Sequence, residues 1–460
     1  MGNDGKPNNI FSLKISNLVT IQTVSESLKR EIRNRLTIPN PVWEENERMG
    51  RWNGNTPHLL HYYEETPSGL IIPRGFLPQL IGMAKQCDER YQIEDQRRVL
   101  PEVNFQFHGQ LRPFQEKAVK NLLSREMGTL AAPTGSGKTV IALYIIAQRR
   151  QPALIITHTK ELLNQWTNRI EQFLRIPPNE IGRIGDGERN VGKKITVALV
   201  QTLYKCASQV SPHIGYLIID ECHRTPARTF TEAVSAFDCK YMTGLSATPW
   251  RRDRLSKLIF LYVGNVVHEV DKLSLIETGD VLRAEVVTRE THFIPNSDPQ
   301  TEYSTMLSEL TEDRTRNILI AQDVAKEASN GSGICLVISD RKTHCSTLQK
   351  LLSRYGIKSE VLTGDVSNGE RKATVESLNL GHIKVLIATG QLIGEGFDCK
   401  ELSTLFLATP IKFDGRLIQY LGRVLRPAPG KKKARVYDYI DSKVGVLKAA
   451  AAARGRVYGN

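Results

Sequence analysis

Residues 131–140 read A-A-P-T-G-S-G-K-T-V, a run whose residue types can cradle a polyphosphate. Gly135 and Gly137 admit backbone turns closed to residues with a Cβ, so several N–H groups and a helix N-terminus, with Thr134 and Ser136 in the same loop, can aim at one point. Lys138 is spaced to reach β and γ phosphates, and the Thr139 hydroxyl to ligate Mg²⁺. Asp220-Glu-Cys-His223 is a second constellation: Asp220 can hold Mg²⁺ through water, and Glu221 can orient or deprotonate an attacking water. Adjacent carboxylates also occur merely solvated in loops, and the pair takes its meaning from the cradle upstream. Gln419, Arg423 and Arg426 are four and three residues apart, so they share one face of a helix expected to end at Pro427. Two guanidiniums with no carboxylate among them need an anion such as a γ-phosphate, or else they form a solvated basic face. Gln115 carries an amide that suits an adenine edge, although glutamine on a helix usually faces water.

The elements that must hold these residues are legible around them. The apolar 128–130 precedes the cradle and 141–146 follows it as a buried helix, giving the order strand, loop, helix. Apolar strands are expected over 153–156, 195–200, 217–219 and 241–245, with helices over 160–173 and 229–237. Repeated apolar strand and helix means a parallel sheet covered on both faces, with functional residues at the strands' C-terminal ends. Ser246-Ala-Thr248 sits at such an end, either coupling the nucleotide site to a neighbouring domain or making a plain turn. A second α/β series begins near 271, with a long helix over 314–328, strands over 334–338, 359–362 and 385–387, and a short alanine-rich helix near the C-terminus. Hydroxyls, glycines and basic residues collect where those strands end, at Ser339, Arg341, Thr363, Gly364, Thr389 and Gly390, where they can bond to phosphates without reading bases.

The first hundred residues read differently. Residues 1–10 are expected to be disordered; alternation from Phe11 predicts a strand, and Ser25 can cap a helix through Leu36 that Pro39 and Pro41 stop. Trp43, Trp52, His58, Tyr62 and Tyr63 and the stretch 69–76 then read as short strands and turns. The aromatics interleave with Arg48, Arg51 and Arg74, which fits stacking on bases and equally fits a small domain filling its core.

Composition sets outer bounds. The chain has 460 residues, 40% hydrophobic and 24% charged, enough for two or three domains of ordinary globular character. No run is long and apolar enough for a membrane span, and the start lacks the apolar core of a signal peptide, so an intracellular, cytoplasmic protein is expected. Seven scattered cysteines, never spaced C-x-x-C, suit reduced thiols and argue against zinc ribbons and iron–sulfur clusters. The net charge of +13 is uneven: 13 basic against 13 acidic residues over 1–105, 28 against 25 over 106–330, and 21 against 11 over 331–460. The lopsided excess points to a polyanion partner, of which nucleic acid is the commonest.

With these residues in order, the chain resembles the superfamily-2 DNA helicases and translocases, most of all the XPB-like group and phage branch-migration helicases of the UvsW type. The resemblance runs from Leu111 to the C-terminus through L-R-P-F-Q (111–115), A-P-T-G-S-G-K-T (132–139), T-H-T-K-E-L (157–162), Q-T-L (201–203), D-E-C-H (220–223), S-A-T-P (246–249), T-G-D (363–365), T-G-Q-L-I-G-E-G-F-D (389–398) and Q-Y-L-G-R-V-L-R (419–426). Ala132, where the general phosphate-loop pattern has glycine, matches the family form. The resemblance implies an α/β fold of two RecA-like parallel-sheet lobes in tandem, 106–270 and 271–460, behind a small α+β accessory domain, 1–105, that is a candidate DNA binder. It implies ATP and Mg²⁺ as cofactors, with Arg112 and Gln115 framing the adenine, Lys138, Thr139, Asp220 and Glu221 acting from the first lobe, Gln419, Arg423 and Arg426 at the γ-phosphate, and Gly396 and Asp398 near the ribose. Nucleic acid would touch Thr157, Thr159, Lys160, Gln201, Thr202, Ser339, Arg341, Thr363, Gly364, Thr389 and Gly390. The implied activity is ATP hydrolysis coupled to translocation on single-stranded, forked or branched DNA, unwinding or branch-migrating it in repair, recombination or replication. The alternatives are an RNA helicase and the motor subunit of a restriction or remodelling complex. A monomer is expected, with other replication or recombination proteins as partners, in a host's cytoplasm if the chain is a phage's. Arg251-Arg252-Asp253 departs from the Arg-Glu-Asp of XPB, so the strand-separating role of that motif is not carried over, and 254–314 matches nothing assignable.

Overall fold

The computed structural model of the chain describes residues 10–223, 227–247, 256–331, 333–390, 399, 401–411, 414–428, 431 and 433–459. Two compact units emerge, residues 1–132 with 137–270 and residues 133–136 with 271–460.

The first unit opens with a five-stranded sheet. Phe11–Ile15 (β1) and Leu18–Gln22 (β2) pair antiparallel, so the single expected strand is a hairpin turned at Ser16 and Asn17. Ser25 caps Glu26–Leu36 (α1), its hydroxyl accepting from the Leu28 N–H at 3.2 Å, and Leu28, Ile32 and Leu36 are buried as their spacing predicts. The prolines do more than stop this helix. Thr37–Pro39 (β3) is a short strand, and Pro41 opens a new helix, Pro41–Arg48 (α2), capped by Asn40, at the one helical position where a missing N–H costs nothing. Leu59–His61 (β4), Glu64–Thr66 (β5), Gly69–Pro73 (β6), Leu77–Gln86 (α3) and Tyr91–Asp95 (β7) complete the domain, with sheet order β5-β6-β2-β1-β7. Helix α2 replaces part of the expected strands and turns, and α3 lies in 77–86, which the sequence left without an assignment.

An eight-stranded sheet follows in the same unit. Its elements are Pro113–Leu123 (α4), Met127–Ala131 (β8), Lys138–Arg149 (α5), Ala153–Thr157 (β9), Lys160–Leu174 (α6), Gly182–Gly185 (β10), Glu188–Arg189 (β11), Ile195–Leu199 (β12), Val200–Leu203 (α7), Ala207–Val210 (α8), Tyr216–Ile219 (β13), Ala227–Ser235 (α9), Tyr241–Ser246 (β14), Ser256–Val263 (α10) and Val266–Glu269 (β15). The strand order is β11-β10-β12-β9-β13-β14-β8-β15, parallel except for the β10–β11 hairpin. Every residue of β9, β12 and β13 is buried, as an all-apolar strand covered on both faces requires. The four expected strands appear with ends shifted by at most one residue.

Helix α10, in the stretch the sequence left unassigned, is shared by two cores. Leu258 and Leu261 lie in the core of the N-terminal sheet, while Ile259 and Val263 lie in the core of the eight-stranded sheet. Each buried leucine contributes about 1.5–3 kcal/mol. The backbone of Gly75 approaches this helix so closely that a Cβ there would stand 2.3 Å from the Phe260 carbonyl oxygen. Arg74, 2% exposed, donates to the carbonyls of Cys239 at 2.7 Å and Ser16 at 3.3 Å, and Asn17 donates to that of Ser235 at 2.6 Å. The small domain is thereby built into the first α/β domain.

The second unit holds a six-stranded parallel sheet. Its elements are Lys272–Glu277 (α11), Ala284–Thr291 (β16), Tyr303–Glu312 (α12), Arg314–Asn330 (α13), Ile334–Ser339 (β17), Lys342–Arg354 (α14), Ser359–Leu362 (β18), Asn368–Asn379 (α15), Val385–Thr389 (β19), Leu402–Leu407 (β20), Asp414–Val424 (α16), Ala434–Asp441 (β21) and Gly445–Gly459 (α17). The order is β16-β21-β20-β17-β19-β18. The unassigned stretch thus supplies the edge strand β16, paired along all eight residues with β21. A buried ion pair ties the C-terminal end of β21 to α13: Arg316 donates from Nε to Asp441 at 2.9 Å and from Nη1 to the Ala408 carbonyl at 2.6 Å. Both architectures are α/β with a parallel sheet, as the sequence predicts.

Candidate nucleotide and nucleic-acid site

The glycine-rich stretch joins β8 to α5 as the order strand, loop, helix requires. Gly137 caps α5 with φ 82° and Gly135 has φ 92°, both in the left-handed region that favours glycine. A Cβ on Gly137 would stand 2.5 Å from Nε2 of Gln115, so the amide of that residue abuts the loop. Gln115 is 6% exposed and its Oε1 accepts the Arg112 N–H at 2.9 Å, capping α4; the side chain is therefore held in place. Arg112 itself is exposed. Lys138 folds back to donate to the Ala132 carbonyl at 3.0 Å, and its ammonium lies 3.9 Å from Glu221 Oε1.

The carboxylate turn follows β13 directly. The Asp220 N–H bonds to the Ile156 carbonyl at 2.9 Å and the Cys222 N–H to that of Leu245 at 3.0 Å, so neighbouring strands clamp the turn from both sides. Cys222 points into the core, where burial pushes its thiol pKa up. Glu221 takes φ 44°, a left-handed conformation a non-glycine residue adopts only where the surroundings impose it. Asp220 is 8% exposed, with Oδ1 accepting the Glu221 N–H at 3.0 Å and Oδ2 the Trp166 indole N–H at 2.8 Å. Burial first, and then the Glu221 charge, push the Asp220 carboxyl up to about 6. A cation at this carboxylate would reverse that shift.

His223 completes a chain of polar contacts. Its Nδ1 lies 3.5 Å from Glu221 Oε2 and 2.9 Å from Ser246 Oγ, and the Ser246 carbonyl accepts the Ala132 N–H at 2.9 Å. The phosphate loop, the D-E-C-H turn and the first residue of S-A-T are thus linked. Thr248, Arg251, Arg252 and Asp253 lie outside the described residues, as do residues 1–9, Gly396 and Asp398.

The donor set suits Mg²⁺ brought in by a nucleotide. Among the described residues no cluster of three or more His, Cys, Asp and Glu side chains is gathered to hold a metal alone. Thr139 and Asp220 offer two hard oxygen ligands, and Mg²⁺ usually takes the rest of its shell from phosphates and water.

The residues expected to touch nucleic acid fall into two groups. Thr157 and Ser339 are buried at 1% and 0% exposure, so they fix loops from beneath rather than present a surface. Thr157 donates to the Ala198 carbonyl at 3.2 Å; Ser339 Oγ accepts the Arg341 N–H at 3.2 Å and lies 2.9 Å from His344 Nδ1. His344 Nε2 lies 2.7 Å from Asn317 Oδ1, an acceptor, so Nε2 carries the proton and Nδ1 receives that of Ser339. Thr159 caps α6, its hydroxyl accepting from Leu162 at 3.3 Å; Lys160 pairs with Asp186; Gln201 donates to the His158 carbonyl at 3.3 Å; Thr202 is half-buried. Arg341 reaches Ser304, at 3.0 Å from its hydroxyl. Thr363 is half-buried and Gly364 exposed just past β18, while Thr389 ends β19 and Gly390 is buried.

Gln419 and Arg423 share α16 at 4% and 6% exposure. Arg426 does not continue that helix, which ends at Val424, because the residue before Pro427 is pushed out of the helical region. Lys431 closes the helix instead, its ammonium donating to the Val424 carbonyl at 2.6 Å and the Arg426 carbonyl at 2.7 Å, with burial lowering its pKa to about 8.

Comparison with known proteins finds helicase-family similarity in both units. Residues 108–251 match the family described as type III restriction enzyme, res subunit, and residues 321–428 the helicase conserved C-terminal domain. The DNA 3'-5' translocase XPB2 of Sulfurisphaera tokodaii is 36% identical over 159 residues, 35% of each chain. The putative ATP-dependent RNA helicase L396 of Acanthamoeba polyphaga mimivirus is 24% identical over 78% of this chain and 69% of its own. The probable helicase D10 of Escherichia phage T5 is 26% identical over 71% of this chain and 70% of its own. The chain therefore spans about a third of the first relative and about two thirds of the other two. Among solved structures, T4 UvsW has a TM-score of 0.45 at 18% identity, covering 98% of this chain and 97% of that one. The chain thus carries both helicase-family domains in order, with the phosphate loop and D-E-C-H turn assembled in the first, and is similar to XPB-type and phage helicases.

Proposed function

We propose that the chain is an ATP- and Mg²⁺-dependent DNA translocase that unwinds or branch-migrates forked or branched DNA. The observation that carries the reading is the linked set Lys138, Glu221, His223 and Ser246 beside the buried Asp220. Lys138, Gly135, Gly137 and Thr139 bind the polyphosphate; Glu221 orients the attacking water and takes its proton; Gln115 and Arg112 hold the base. Mg²⁺, when held by Thr139 and Asp220 with the nucleotide, neutralises charge on the phosphates. Ser246, through His223, senses the state of Glu221. Gln419, Arg423 and Arg426 are the groups we assign to the γ-phosphate. The excess of basic residues over 331–460 supports a polyanion track.

A second reading, an RNA track, is favoured by the relative whose name is an RNA helicase. Both readings share the motor. Glu221→Gln is expected to lower ATP turnover by about 10²- to 10⁴-fold while a fluorescent ATP analogue still binds, and Lys138→Ala to weaken binding as well. Full turnover in Glu221→Gln would remove the assignment.

A further inference from the structure

The two units repeat one local design. In the first, β9 ends on the buried hydroxyl Thr157, and Lys160, three residues on, is the first residue of α6. In the second, β17 ends on the buried hydroxyl Ser339, and Lys342, three residues on, is the first residue of α14. The next parallel strand of each sheet, β10 or β18, lies two places away in the orders β10-β12-β9 and β18-β19-β17. Each is followed by a turn carrying one aspartate, Asp186 or Asp365, and each aspartate closes on the lysine. Lys160 pairs with Asp186; Lys342 donates to both oxygens of Asp365, at 2.6 and 2.7 Å.

All four side chains keep contact with water, at 59% and 40% for Lys160 and Asp186 and 56% and 72% for Lys342 and Asp365, so these pairs add little to stability. The geometry is nonetheless specific. Asp186 holds φ 56° between Gly185 and Gly187, both also at positive φ, and its carboxyl sits below its ordinary pKa because Lys160 bonds to it. A lysine in the first turn of a helix gains nothing from the helix dipole and is stabilised only by an anion. Here that anion is a carboxylate of the same unit.

We propose that Asp186 and Asp365 are placeholders for nucleic-acid phosphates: each occupies, in the free protein, the lysine that a backbone phosphate takes in the complex. The proposal rests on the nucleic-acid reading above and adds to it Lys342 as a phosphate-binding residue and two aspartates that set affinity. Strand binding must first break each pair, so both aspartates restrain a chain of net charge +13 from adhering to any polyanion.

The test is equilibrium anisotropy with a fluorescein-labelled single-stranded oligodeoxythymidylate across a salt series, using Asp186→Asn, Asp365→Asn, Lys160→Ala, Lys342→Ala and the paired doubles. Each Asn variant is expected to bind about two- to fivefold tighter at low salt. Each Ala variant is expected to bind more weakly, with a salt slope reduced by about one. In the doubles the gain from Asn disappears, whereas a mere change in net charge would leave it in place. Melting temperatures within about 2 °C of the parent exclude a folding effect. If the parent binds and the lysine variants weaken it but the Asn variants are neutral or weaker, the placeholder role is wrong and the nucleic-acid reading stands. If the parent binds but loss of either lysine changes nothing, the proposal is wrong and the nucleic-acid reading stands; if the parent does not bind, the nucleic-acid reading falls and the proposal with it.

Discussion

The indole N–H of Trp166 donates to Oδ2 of Asp220 at 2.8 Å across 54 residues of sequence. Both residues are buried, and Asp220 Oδ1 is already engaged by the Glu221 N–H at 3.0 Å. Helix α6 therefore orients the carboxylate that the sequence marks for Mg²⁺, and it does so from behind, as metal ligands are commonly oriented by an outer partner.

Trp166→Phe keeps the apolar body and removes the donor. The Mg²⁺ concentration for half-maximal ATP hydrolysis is expected to rise about tenfold, equivalent to about 1.4 kcal/mol, the usual scale for a lost bond to a buried carboxylate. A Mg²⁺ titration of turnover measures this, and an unchanged midpoint would mean the bond serves packing alone.

His344 ties stability to pH. Burial first, and then the Arg316 charge, lower its pKa from 6.5 to about 3, so the folded chain keeps it neutral. Between those values the unfolded chain binds the extra proton. Stability is thus complete above about 6.5 and falls as pH drops toward 3, by at most about 1.4 kcal/mol per pH unit from this group. The melting temperature of His344→Gln is expected to fall less steeply than that of the parent between pH 7 and pH 5. Parallel curves would contradict the buried neutral imidazole.

Arg74 joins the small domain to the first α/β domain by donating to the Cys239 carbonyl at 2.7 Å and reaching the Met242 sulfur at 4.0 Å, while it also donates to the Ser16 carbonyl of its own domain, which makes it hard to replace. Arg74→Ala is expected to cost about 2–4 kcal/mol, read as a lower urea midpoint, because it leaves buried carbonyls without their donor. Gly75→Ala is expected to destabilise too, since its Cβ would meet the Phe260 carbonyl oxygen at 2.3 Å. Wild-type midpoints in both would mean the small domain is not built into its neighbour as described.

The α/β architecture was legible because its strands are short, apolar and separated by helical periods, and the candidate phosphate loop and carboxylate turn could be located because each uses contiguous residues. Partners distant in sequence were not: no spacing connects Trp166 to Asp220, His344 to Asn317, or Lys160 to Asp186. Helix α10 was missed for another reason. Its sequence S-K-L-I-F-L-Y-V is apolar around the whole helix, because two cores share it, and so it lacks the one-sided pattern that marks a surface helix. Arg426 was expected on the helix face of Arg423, and the constraint of Pro427 on its predecessor decided otherwise.

The most direct test of the central claim is ATP hydrolysis at one fixed salt concentration with no nucleic acid, single-stranded DNA, a fork, a four-way junction and single-stranded RNA. The account predicts the greatest stimulation by forked or branched DNA. Equal or greater stimulation by RNA would contradict the DNA assignment and leave the nucleotide site intact, and no stimulation by any of them would contradict the motor itself.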